Sequence, residues 1–239
     1  MRCIRQGDVE ISKDIVDRYD LDSPEGRLEY ILREKDGFAP VSSNGLFAAM
    51  GGKTEHNKVV EVMYKNIDDF LEAKDLRKDS VDLELLSEAK VYSLDGIFTT
   101  LTSVVDMSRV LRSMRKDPEK LEAAFEKVER NFISFVETLA AGGVTHFSYA
   151  DPAAMPEIMG RYYEGWIVER FVDMVNKLSH MDIALHICPV LFMELRGRMD
   201  MKRKKCENYQ ETFFREIGFR IAGGSCIKNK ERGTYYFTE

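Results

Sequence analysis

Long apolar runs are missing from this 239-residue chain. None approaches the ~18 residues a membrane-spanning helix needs. The first ten residues, "MRCIRQGDVE", lack the apolar centre of a secretory signal. Cysteine is scarce: Cys3, Cys188, Cys206 and Cys226 are the whole supply, widely spaced in a large chain. That usage does not suit a disulfide framework; it reads as reduced thiols in a cytoplasm, available for metal binding or catalysis. Positive charge is in deficit, with 35 Lys and Arg against 41 Asp and Glu and a formal net charge of −6. No basic excess is left to neutralise phosphates, which excludes a general nucleic-acid binder. The one basic run, "MKRKK" at 201–205, reads as a solvated loop. Repeats, low-complexity tracts and Pro/Gly/Ser linkers are also missing, so the expectation is one domain over 1–239, cytoplasmic, with neither membrane nor nucleic acid as partner.

What is present is a globular composition, 44% hydrophobic and 32% charged, ample for one full core. Helical and strand-like stretches alternate. "SPEGRLEYILRE" (23–34) opens with Ser23 as a cap and Pro24 at the first helical position. "FAPVSS" (38–43) reads as a strand entering a loop, and "KVVEVMYKNIDDFLEA" (58–73) has helical spacing at Val59, Val62, Met63, Ile67, Phe70 and Leu71. "KVYSLDG" (90–96) is strand-like and stops at an Asp-Gly turn signal. The clearest helix is 117–143, begun by Asp117-Pro118 and ended by Gly142-Gly143. Further on, "VTHFSYAD" reads as a strand, 157–178 as one long helix, "DIALHICP" as a strand, "YQETFFREIG" as a short helix and "FRIAGGS" as a final strand.

Strands alternating with helices predict a parallel sheet, open or closed. In such folds the carboxyl ends of the strands face the ligand site, and polar or small residues gather where these strands should end: Asp95, Tyr149, Asp151, His186, Cys188, Ser225 and Cys226. Side chains at i and i+2 on a strand share a face, so His186 and Cys188 can project together. Imidazole and thiolate are ligand types zinc favours, and a catalytic zinc takes three protein ligands plus an open position. Cys226, after Gly223-Gly224-Ser225, is the third candidate. A packed core thiol beside a histidine bonded to backbone accounts for the same pair. Asp95, Tyr149 and Asp151 are candidates to position substrate or a metal-bound histidine; as Asp-Gly and Asp-Pro, the two aspartates also suit turns and caps. Glu194 is the nearest carboxylate after the metal strand, a candidate exchangeable ligand or a solvated helix residue. His146 reads as a core or helix contact, His56 and His180 as exposed, Cys206 as a loop thiol, Cys3 as a terminal one, and Trp166 as a packing residue.

Taken over a long stretch, Gly96, Phe98 and Thr99 after a strand, the Asp117-Pro118-Glu119 helix start, Asp151-Pro152 and "DIALHICP" resemble the uroporphyrinogen decarboxylase superfamily, best over 90–190. Within it the chain is most similar to the methyltransferases that move a methyl group from a cobamide to coenzyme M. The resemblance implies a (β/α)8 TIM-barrel-like α/β fold, abbreviated here at the N-terminus and C-terminus. It implies zinc held by His186, Cys188 and Cys226, a corrinoid presented by a partner protein, and a small thiol as methyl acceptor. The sequence departs from the family where Pro189 follows the metal strand and where Cys226 comes 38 positions after Cys188. A homo-oligomer completing the barrel, a binding or accessory subunit without turnover, and a decarboxylase-like enzyme acting on a tetrapyrrole are the alternatives. The last is disfavoured, because "RQGD" (5–8) is too short a likeness to the arginine motif of that branch.

Overall fold

The protein is described from a computed structural model over residues 18–19, 38–39, 45–55, 58–59, 61–76, 91–227 and 230–238. The helix expected at 23–34, Cys3 and His56 lie outside the described residues. Strands β1 (Phe38–Ala39), β2 (Thr54–Glu55), β3 (Lys58–Val59), β4 (Val91–Asp95), β5 (His146–Ala150), β6 (Ala184–Ile187), β7 (Lys202–Cys206), β8 (Arg220–Gly223) and β9 (Gly233–Phe237) form two sheets. The larger has the order β1-β4-β5-β6-β8-β9-β7; β2 and β3 form a separate hairpin. From β1 to β8 every pairing is parallel, whereas β9 and β7 are added antiparallel.

The core strands are short and apolar because both faces are covered, as in parallel sheets. On one face, Tyr92, Phe147, Leu185 and Ile221 stand in register. Helices α5 (Pro118–Ala141) and α7 (Arg170–Leu178) pack there, with Phe135 edge-on to Tyr92 at 5.8 Å and Phe171 edge-on to Tyr149 at 4.9 Å. Each fully buried Phe of this layer contributes about 1.5–3 kcal/mol of transfer free energy. Arg170 ties the two helices, bonding Glu129 at 2.8 Å and pairing also with Glu122. The opposite face carries the row Ser93, Ser148, His186 and Ala222. In a closed (β/α)8 barrel this face would line the interior. Here Tyr209 and Phe213 of helix α9 (Tyr209–Phe214), Ile227 and Tyr235 of β9 cover Val91, Ala184 and Ala222.

The fold is α/β and TIM-barrel-like: successive parallel strands with their helices on one face. Among the described residues β1 and β7 end the sheet without pairing to each other. The basic run at 201–205 is therefore an edge strand, not a solvated loop. Its pairing with β9 explains why: Lys204 reaches over the rings of Tyr235 and Phe237 at 4.9 and 4.6 Å, attractions that a cation and an aromatic face supply across a ladder. β8 is accordingly not the final strand, and Cys206 sits at a strand end with its Sγ 3.6 Å from the Gly233 carbonyl.

Two expected helices are reshaped. Helix α1 spans Gly45–Ala49, and over the described residues of 58–73 only Ile67–Glu72 (α2) is helical, because Asn66 starts it by accepting from the Asp69 N–H at 3.0 Å, while Lys58–Val59 pairs with β2. The segment 157–178 is a broken ribbon: α6 (Pro156–Met159), a 3-10 turn (Gly160–Tyr162), a wide π-helical stretch (Glu164–Glu169) and α7. Gly160, at φ +54°, leaves the right-handed helical region and breaks it. The 24-residue α5 forms as expected, capped by Asp117 and stopped where Gly143 turns to φ +97°. Trp166 packs on Phe125 and Tyr162.

Candidate functional site

The carboxyl ends of β4, β5, β6 and β8 carry all the candidate residues. At β4 the chain passes through Asp95 and Gly96 into α3 (Ile97–Val104). The first turn of that helix is held by the end of β5. Asp151 accepts from the Phe98 and Thr99 N–H groups at 3.1 and 2.8 Å and from the Thr99 hydroxyl at 2.6 Å. The Tyr149 hydroxyl accepts from the Ile97 N–H at 3.2 Å and bonds to Asp151 in turn. A helix start leaves unpaired N–H groups and a partial positive charge, which a carboxylate satisfies. Gly96 is required here, because a Cβ would overlap the Asp151 carboxyl.

These carboxyls are not ordinary acids. Burial pushes Asp151 up to about 6 against the lowering effect of its hydrogen bonds. Burial, and then the nearby Asp151 charge, raises Asp95 well above the usual carboxylate range. Tyr149 is buried beneath α5 and α7 between Phe132 and Phe171. Tyr163, which the sequence did not single out, joins this end of the sheet: burial and the charges of Glu194, Asp151, Glu157 and Glu164 push it up to about 12.

His186 lies one strand away on the barrel-interior face and is 1% exposed. Its Nδ1 is 3.0 Å from the Tyr209 hydroxyl, and its ring meets Tyr209 and Phe213 edge-on. Burial lowers it to about 3, so the imidazole is neutral at physiological pH. Cys188 follows at the end of β6, donates its N–H to the Tyr149 carbonyl at 3.0 Å and starts helix α8 (Pro189–Leu195). Cys226 follows β8, the strand paired with β6, through Gly224 at φ +107°. Tyr209 joins these ends. Its hydroxyl bonds the Ser225 N–H, and burial with the nearby Cys206 and Cys226 thiols raises it well above a normal phenol. Nothing in "YQETFF" beyond an aromatic after a capping asparagine hinted at this role.

The imidazole and the two half-buried thiols thus stand on neighbouring parallel strand ends. Their donor types suit zinc. Among the described residues, however, no three His, Cys, Asp or Glu side chains are gathered so as to hold a metal ion. Glu194 is exposed on α8, His180 is exposed with Nδ1 2.9 Å from the Lys177 carbonyl, and His146 packs edge-on to Phe213 and Phe214. No helix among the described residues is long and apolar enough to cross a membrane.

Residues 91–202, just under half of the chain, match the uroporphyrinogen decarboxylase family model. The matched segment contains Asp95, Tyr149, Asp151, His186 and Cys188 and stops short of Cys226. A solved structure, the methyltransferase from Methanosarcina mazei, is similar with a TM-score of 0.59 at 16% identity. The likeness covers 77% of this chain and 64% of that one, so the chain spans less than two thirds of that neighbour's length. At this identity the likeness shows the fold. No curated protein matches the sequence.

Proposed function

We propose that this chain is a methyltransferase that moves a methyl group from a corrinoid, carried by a partner protein, to a small thiol at the carboxyl ends of β5, β6 and β8. The observation that carries this reading is the placement of Cys188 and Cys226 on adjacent parallel strand ends beside a buried, neutral His186. The family match over 91–202 and the fold shared with a methyltransferase support it. In the reaction the acceptor sulfur, as thiolate, takes the methyl group, the bonding pair stays with cobalt, and the thiol proton goes to solvent. A zinc ion bound by a thiol substrate would deprotonate it at neutral pH. Uptake of zinc through His186, Cys188 and Cys226 requires the two thiols to close on the imidazole; the Tyr209 hydroxyl at Nδ1 leaves Nε2 as the ligating atom. Asp95, Tyr149 and Asp151 are then proposed to shape and orient the site.

Metal analysis of serine variants tests the ligand set. Cys188→Ser and Cys226→Ser should lose zinc and Cys206→Ser keep it; loss in Cys206→Ser with retention in Cys226→Ser would reassign the third ligand. A second reading, a binding or accessory subunit without turnover, is favoured by one observation: an added helix and strand, through Tyr209, Phe213 and Tyr235, cover the face that the remaining strands of a closed barrel would enclose. A metal-free protein that leaves methylcobalamin intact with every thiol would select it.

A further inference from the structure

A groove of about 810 Å3 runs between the last turns of α4 (Met107–Lys116) and the α6–3-10 segment after β5. Its volume falls in the range of small-molecule sites. Arg112, Arg115 and Lys116 line one wall, spaced so that they share a face of α4. All three are exposed, and none has an ion-pair partner among the described residues. Arg161 adds a fourth cation, held over the Tyr162 ring and bonded to its hydroxyl at 2.7 Å. Glu157 is the only carboxylate of the lining. Between the cations the floor is apolar, made by buried Met114 and Met159 with Leu111.

The neighbouring groove between α5 and α7 shows the contrast. There the cations are used internally, Arg170 by Glu122 and Glu129 and Lys177 by Glu129. In the α4 groove, by contrast, Arg112 and Lys116 stand at i and i+4 as like charges, an arrangement that costs stability until an anion screens it. Neutralising that repulsion and covering the methionine floor call for one ligand with both properties. We infer that this groove binds a small organic anion, bearing phosphate or carboxylate groups on an apolar body, at a site separate from the strand-end thiols. The guanidinium groups take the anionic head through charge-assisted hydrogen bonds, and the methionines adapt to the apolar part.

The groove carries its own reporter. Trp166 is the chain's one tryptophan, and its ring stacks on that of Tyr162, at 4.5 Å and 9°. Hexyl phosphate titrated into the full chain should change Trp166 emission saturably. Inorganic phosphate should bind about tenfold more weakly and hexanol not at all. The Arg112→Ala/Arg115→Ala variant should weaken hexyl phosphate about tenfold or more, as loss of charged hydrogen bonds does. Glu157→Gln, which removes the opposing carboxylate, should tighten it. An unmoved Trp166 signal, hexanol binding as well as hexyl phosphate, or no tightening in Glu157→Gln would each overturn the inference.

Discussion

The Tyr209 hydroxyl lies 3.0 Å from Nδ1 of His186, joining the helix that fills the barrel-interior face to the strand that carries the His-x-Cys pair. A buried imidazole nitrogen without a partner costs the desolvation of that group. Tyr209→Phe keeps the ring and removes the hydroxyl that serves both the imidazole and the Ser225 N–H. It should lower unfolding free energy by about 1–3 kcal/mol, read as a fall in the urea midpoint at unchanged slope. An unchanged midpoint would mean that the imidazole is served by another group.

Protonation of His186 and Asp151 should leave opposite signatures on stability. His186 is held at about 3, below its ordinary 6.5. Between those values the unfolded chain binds the proton and the folded chain does not. The histidine's contribution is thus present above 6.5 and lost as pH falls, by up to about 1.4 kcal/mol per pH unit. Asp151 is raised from 3.8 to about 6. Its contribution is present below 3.8 and lost as pH rises through 6. Relative to the parent, Asp151→Asn should therefore gain stability between pH 4 and 6. Denaturant melts at each pH give the slope; a relative loss over that window would contradict the assigned direction.

Gly96→Ala should disturb more than its small size suggests. The added methyl occupies the place of the Asp151 carboxyl, so the cap on α3 must move. A cost of about 1–3 kcal/mol or more is expected, together with faster hydrogen exchange at the 98 and 99 amides, whose N–H groups Asp151 now holds.

Strand β7 should owe its solubility to its charges. An edge strand presents unpaired backbone groups, and lysines there discourage pairing between copies. Arg203 and Lys205 are exposed. Arg203→Val/Lys205→Val should shift the protein to larger species in size-exclusion chromatography, whereas an elution profile unchanged from the parent would show that the charges are dispensable.

The parallel strands and α5 were legible in the sequence because their signals are local: apolar runs closed by Asp-Gly, Asp-Pro or Gly-Gly, and a long 3.6-residue stripe behind Asp117-Pro118. The placement of Cys188 and Cys226 at strand ends followed from the same reading. What stayed hidden was settled by partners distant in sequence. The basic run became β7 because Tyr235 and Phe237, some thirty residues later, offer ring faces to Lys204. Tyr209 reaches His186 across 23 positions. Asp151 could be read as either a cap or a site residue until the N–H groups of Phe98 and Thr99 were seen to fill its oxygens. The long helix over 157–178 looked continuous because Gly160 alone gives no sign of its φ +54°.

The central claim, methyl transfer at the strand ends, is tested most directly by following methylcobalamin absorbance with the zinc-supplemented full chain and a panel of small thiols. The account predicts demethylation of the cobalt with at least one thiol, accompanied by the S-methyl product, and loss of that activity in Cys188→Ala. Unchanged absorbance with every thiol, or equal activity in Cys188→Ala, would contradict it.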